Sequence, residues 1–369
     1  MEQVILGIIL LFSILGAMDK IYGNKFGLGA KFEEGFMSMG NLALAIIGIY
    51  SLSPVIANVL SYAIGPLFKN IGIDSSILSA SILACDMGGY ISSMKLAQSK
   101  EIGLFSGVIL SSMLGTTVIF TIPVGVGIIK KEDHSYFAKG ILAGIITIPL
   151  GSIVGGYLLG ISFKSLILNA LPVIMISVLL AIGLTKYPEK IINLFSILSR
   201  GVTAISMFGL VLSMIDVITG IKILKGMGSF TEGLKVVGSV VIVLSGAYPM
   251  IYFVSRFFGN TISKLGRRIG IGEKAIMGLM VSLANNIPMF FMFKEMNSRE
   301  KVLCSAFIVS GAFTFGGQLG FISGVEKTAI VPFIIAKLAG GLSALILAFI
   351  LTRHDEVCVS EKGSNKLLS

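Results

Sequence analysis

The chain has 369 residues, of which 54% are hydrophobic and 13% charged, with a formal charge of +10, 45 glycines and no tryptophan. Its mean hydropathy of +0.94 is more apolar surface than a water-soluble chain can hide, which leaves an all-α polytopic protein of the lipid bilayer. The surplus Lys and Arg lie in short loops between apolar runs, where they orient membrane helices, so they give no ground for a nucleic-acid partner.

Apolar spans run over 4–18, 36–64, 75–94, 102–129, 137–160, 165–185, 201–219, 234–255, 275–293, 302–324 and 328–351, each close to the ~20 residues that a crossing needs. The first lacks a basic leader and a small-residue cleavage site and reads as a retained helix. The fifth carries Gly140-xxx-Gly144 and Gly151-xxx-Gly155, small residues four apart that let helices approach closely in lipid. A polar tail follows from 353 to 369.

Two halves of the chain echo each other. At a constant offset of 198, Phe32, Glu34, Gly35, Gly40, Gly48 and Tyr50 match Phe230, Glu232, Gly233, Gly238, Gly246 and Tyr248. Asp19/Asp216, Leu83-Ala84/Leu283-Ala284 and Ala138-Lys139/Ala336-Lys337 continue the pattern at nearly the same spacing. The expected organisation is therefore a duplication: repeat one over 1–164, repeat two over 201–352, and between them span six with an amphipathic connector, Pro188–Arg200. Duplicated membrane proteins with polar breaks at matching places are mostly transporters, with substrate held where the halves meet.

Spans three and nine alone have a polar or breaking centre, Cys85-Asp86-Met87-Gly88-Gly89 and Asn285-Asn286-Ile287-Pro288. If all eleven spans cross, Lys and Arg other than Lys337, which lies within the last span, divide 13 to 15 between the two faces; if three and nine turn back as re-entrant hairpins, they divide 20 to 8. The positive-inside rule favours the hairpins. Five crossings then separate the repeats, which makes them inverted, with the hairpins dipping in from opposite faces. The alternative keeps both as discontinuous crossing helices in parallel repeats.

The candidate site residues follow from these breaks. Asp86 is an ionisable group within an apolar run, costly unless it is functional or caps a half-helix, and Gly88-Gly89 beside it lets backbone open toward a ligand. Asn285 and Asn286 hold the matching place, where amides satisfy loose backbone or bond a hydroxyl or ammonium group. Gln318 interrupts span ten within Gly316-Gly317-Gln318-Leu319-Gly320. Tyr50 and Tyr248 lie mid-span, as core or as cation–π faces. Asp19 and Asp216 end the first helix of each repeat, where carboxylates are usually solvated, and Glu34 and Glu232 read as helix-dipole partners at the start of the second.

Nothing in the sequence points to an enzyme or a cofactor. Cys85, Cys304 and Cys358 are too scattered for disulfides or a metal site, and His134 and His354 lack ligand spacing. There is no phosphate-binding loop ending in Lys-Ser or Lys-Thr for an ATP-driven pump. A scaffold would not need a buried Asp at a helix break.

At Phe32-Glu33-Glu34-Gly35-Phe36-Met37-Ser38-Met39-Gly40, Leu83-Ala84-Cys85-Asp86-Met87-Gly88-Gly89-Tyr90, Gly246-Ala247-Tyr248-Pro249-Met250 and Leu283-Ala284-Asn285-Asn286-Ile287-Pro288-Met289-Phe290, the chain resembles the ethanolamine permease family of bacterial ethanolamine utilisation. The resemblance covers essentially the whole chain. It implies uptake of ethanolamine, or of a related small amine or amino alcohol, through the bacterial cytoplasmic membrane. Asp86 would meet the ammonium, and Asn285 and Asn286 the hydroxyl. One departure stands out: family members carry Asp-His where this chain reads Gly317-Gln318, so its amine preference or pH response is expected to differ.

The 20-to-8 division predicts an outside N-terminus, nine full crossings and an inside C-terminus. A reporter fused after Ser369 should be active in its cytoplasmic form, and a periplasmic signal would overturn this topology.

Overall fold

Helices that are apolar all round have no face to offer water, and this chain is built from them. The computed structural model describes residues 1–69, 74–268 and 270–352, and all regular structure among them is helical. The expected tail at 353–369 lies outside the described residues.

The first half holds α1 (Glu2–Ile21), α2 (Leu28–Met37), α3 (Met39–Lys69), α4 (Ser76–Ile82) and α5 (Tyr90–Leu96). A crossing follows that begins as α6 (Lys100–Leu104), winds as a π-helix over Phe105–Gly115 and Thr117–Thr121, and ends as α7 (Ile122–Ile128). Then come α8 (His134–Leu158), α9 (Phe163–Lys186) and α10 (Pro188–Thr219). The connector Pro188–Arg200 and span seven are thus one uninterrupted helix. The second half continues with α11 (Phe230–Arg268), α12 (Glu273–Ser282), α13 (Asn286–Met292), α14 (Ser298–Gly311), α15 (Gly317–Val325) and α16 (Ile330–Thr352).

Eight helical stretches among the described residues are long and apolar enough to cross a membrane. Span ten is split into α14 and α15 around Ala312–Gly316. Side chains such as Leu10, Met175, Leu179, Phe208, Ile242 and Ile346 stand largely exposed on the outer surface, which suits lipid and not water.

Spans three and nine are short arms. The seven residues of α4 rise about 10 Å, far less than a crossing. Each pair of arms closes on itself. The Asp74 carboxylate accepts from the backbone N–H groups of Ser76 and Gln98, both at 2.9 Å, and the Ser75 hydroxyl donates to the Leu96 carbonyl at 3.3 Å. In the second pair, Lys274 and Glu295 meet at 2.6 Å. The two ends of each span are thus tied to one another.

The α6–α7 crossing forms the centre, 94% of its most apolar window being buried. It packs with α8, α14 and α16. Its start pairs with the end of α15 through Lys100–Glu326 at 3.0 Å, and its far end pairs with the start of α14 through Asp133–Lys301 at 2.6 Å. The two crossings accordingly run antiparallel. Outside them, α10 lies on α3, and α1 lies on α11.

Those outer contacts close at glycines. A Cβ at Gly48 would stand 1.7 Å from the Ser206 carbonyl oxygen, and one at Gly246 would stand 2.0 Å from that of Ile9. At Gly40 and Gly238, by contrast, nothing lies within 4 Å. In an open helix, Ala for Gly gains roughly 0.5–1 kcal/mol, whereas forcing atoms into a packed contact costs roughly 1–3 kcal/mol. Gly238→Ala should therefore melt at or above wild type in detergent, while Gly48→Ala and Gly246→Ala melt lower. Equal melting of all three would contradict the close backbone approach.

Candidate functional site

The site begins at the first break. After α4, Leu83 and Ala84 are extended, and Gly88 takes φ +92°, a left-handed turn that suits glycine. The opened backbone is met by neighbours: Met87 and Gly89 N–H donate to the Ala84 carbonyl at 3.0 and 2.9 Å, and the Ser111 hydroxyl donates to the Leu83 carbonyl. Asp86 sits inside this turn. Among the described residues no cationic side chain makes an ion pair with it.

The second break is built differently. Asn285 caps α13, its side-chain oxygen accepting from Ile287 N–H at 3.0 Å. The extended link between α14 and α15 runs beside it, with Phe313 and Phe315 N–H donating to the Ser282 and Leu283 carbonyls at 3.0 and 2.8 Å. Phe313 holds φ +59°, unusual for an aromatic residue, and its ring meets Phe120 edge-on at 5.6 Å.

Both breaks line one cavity of about 300 Å³. Asp86 and Met87 come from the first and Ala284, Asn285 and Ile287 from the second, with Tyr248, Gln318, Thr116, Asn41 and the Phe120–Phe313 pair completing the wall. The Tyr248 hydroxyl interacts with the Asn285 side chain.

A buried relay fixes the polarity of one wall. Lys337, 1% exposed, donates to the Ser112 carbonyl at 2.8 Å and to Gln318 Oε1 at 2.9 Å. An ammonium group can only donate, so the Gln318 amide must turn its oxygen to Lys337 and its nitrogen to Thr116 Oγ1, 2.7 Å away. Thr116 then spends its proton on the Ser111 carbonyl at 3.0 Å. Asp86 and a Thr116 lone pair are left as acceptors toward the cavity, and the capping bond at Asn285 Oδ1 leaves its amide N–H groups as donors. The cavity suits a small cation that also carries a hydroxyl.

Of the residues singled out in the sequence, Asp86, Asn285, Gln318 and Tyr248 meet here. Asn286 turns away: it is fully buried and donates to Thr121 Oγ1 at 3.2 Å. Tyr50 and Asp216 do not line the cavity. Nor does Asp19, which is buried and not solvated, its carboxylate accepting from Phe26 and Gly29 N–H at 2.9 and 3.0 Å to hold the turn after α1. Glu34 lies late in α2 and pairs with Lys31 at 2.6 Å. Lys337 and Thr116 were not singled out. A lone Lys within the apolar run of α16 was the signal for the first, and Thr116 gave none.

Tyr248, Ala284 and Asn285 also line an adjoining cavity of about 290 Å³. Its charged groups are already engaged: Glu34 with Lys31, and Arg256 with the Phe26 carbonyl and the Tyr252 hydroxyl at 2.7 and 3.0 Å.

The comparisons with known proteins agree with one another. The family described as "Ethanolamine utilisation protein, EutH" matches residues 1–351. A Listeria monocytogenes protein named "Probable ethanolamine permease EutH" is 43% identical over 353 residues, covering 96% of this chain and 95% of its own. Proteins of that name from Salmonella typhimurium and Escherichia coli are 37% and 36% identical, covering 96% and 98% of this chain and the same shares of their own. No solved structure matches. With its membrane-length helices, this is a multi-pass protein of the bacterial cytoplasmic membrane, and the chain belongs to the EutH family of ethanolamine utilisation proteins.

Proposed function

We propose that this protein takes up ethanolamine across the cytoplasmic membrane, by facilitated or secondary transport, with the protonated amine bound in the cavity where the two breaks meet. The observation that carries the reading is Asp86: a carboxylate in an apolar interior, lining a cavity and without an ion-pair partner among the described residues. The ammonium sits at Asp86 with Thr116 as a second acceptor, and the hydroxyl sits at Asn285 and Tyr248. The names of the relatives support the same substrate.

The binding place lies between inverted repeats. Equivalent positions make equivalent contacts, which supports the duplication: Gly48 faces α10 as Gly246 faces α1. Gly35 and Gly233 likewise press on Ser245 and Ile47, themselves 198 apart. The antiparallel course of the two central crossings supports inversion. The closed arms α4–α5 and α12–α13 are then re-entrant hairpins from opposite faces, whose tips carry Asp86 and Asn285. On the face that the positive-inside rule assigns to the cytoplasm, the adjoining cavity with Lys31 and Arg256 is the way out. An inside-negative potential favours influx of the cation by about 2.3 kcal/mol per 100 mV, enough to run facilitated uptake when metabolism consumes the product.

Asp86→Asn tests the site while keeping size and hydrogen bonding. A charge-assisted contact contributes about 1.5–3 kcal/mol, so uptake of radiolabelled ethanolamine into proteoliposomes should need roughly tenfold to a hundredfold more substrate. Normal uptake by a normally inserted variant would reduce Asp86 to a cap and send the cation elsewhere.

A further inference from the structure

In the reading above Lys337 only orients the Gln318–Thr116 wall, yet its surroundings are specific. It stands within α16, away from both helix ends and 1% exposed. Its ammonium is held by two neutral oxygens, the Ser112 carbonyl of the π-wound stretch and Gln318 Oε1 just past the break in span ten, with the Phe333 ring centroid 5.4 Å away. Asp86 lines the same cavity as Gln318, and among the described residues it forms no ion pair with Lys337. A backbone carbonyl, a side-chain amide oxygen and a nearby carboxylate beside broken helices are the groups with which carriers of this build hold a coupling cation.

We infer that Lys337 is a built-in cation: its ammonium occupies the oxygen site that a small inorganic cation such as Na⁺ would otherwise take, so that transport needs no Na⁺. This rests on the cavity's being a transport site. Two positive charges do not share one set of oxygens in a low-dielectric interior, because their repulsion at a few ångströms outweighs what neutral acceptors return. While Lys337 is present the site is closed to Na⁺. Once its side chain is removed, the Ser112 carbonyl and Gln318 Oε1 remain, with Asp86 uncompensated nearby, and the vacated volume is open to the ion. The same lysine orients Gln318 and, through it, Thr116, so its loss should also disturb amine binding.

The test uses the full-length protein, purified, with Na⁺ or K⁺ chloride as the probe. Wild type should melt alike in both salts and take up ethanolamine at equal rates. Lys337→Ala should melt several degrees higher in Na⁺ than in K⁺, by the linkage of folding to bound ligand. Its uptake, reduced in K⁺, should rise about fivefold or more in Na⁺. If Lys337→Ala does not accumulate in K⁺ buffers, Na⁺ throughout growth and purification should restore it, and equal failure in both salts would overturn the inference. So would Na⁺-dependent uptake by wild type, or a variant indifferent to the salt. The melting comparison involves no amine, so a wild type that fails to move ethanolamine would sink the transport reading while the Na⁺ response of the variant still decides this one.

Discussion

A backbone that leaves its helix inside an apolar layer must find hydrogen bonds in its neighbours, since no water is there to supply them. That constraint organises this protein. The break at Leu83–Gly89 is tolerated because the Ser111 hydroxyl reaches the Leu83 carbonyl and because the turn closes on Ala84. The link Ala312–Gly316 is tolerated because Phe313 and Phe315 bond the carbonyls of Ser282 and Leu283 beside the other break. The second break and this link thus satisfy each other, while the first break is served by the central crossing and by its own turn. The cavity is the space left where opened backbone cannot close-pack.

Polarity in that cavity then follows from a short chain of obligations. Lys337 can only donate, which turns the Gln318 oxygen away from Thr116 and the nitrogen toward it. Thr116 must in turn give its proton to Ser111. Thr116 stands between the two π-wound stretches of the central crossing, a winding often found at functional sites. A single buried lysine thus shapes the wall that faces Asp86.

The sequence carried the breaks and the expectation that they meet, but not the wall around them. Asp86 and Asn285 were legible because a polar residue in an apolar run has few reasons to be there. The matching places of the two breaks made a shared site expected, and the cavity lined by both agrees with it, but the rest of its wall, from Thr116 to the Phe120–Phe313 pair, comes from spans that carry no such signal. Asn286 looked equivalent to Asn285, yet one residue along a helix is a rotation of about 100°, and that turn buries its amide against Thr121. Asp19 resembled a solvated end, but the glycine-rich turn after α1 folds back over it and brings two N–H groups to its oxygens. Lys337 escaped because a charge in a span is read by its cost alone, while its partners on the central crossing and α15 exist only in the fold.

Substrate protection of a cavity residue tests the central claim most directly. With Cys85, Cys304 and Cys358 replaced by Ser, a single cysteine at Asn41 lines the cavity and one at Glu33 stands outside it on α2. Ethanolamine should slow thiol labelling at position 41, half-maximally at the concentration that half-saturates uptake, and leave position 33 unchanged. Labelling at position 41 that ignores saturating ethanolamine would place the amine elsewhere and contradict the account.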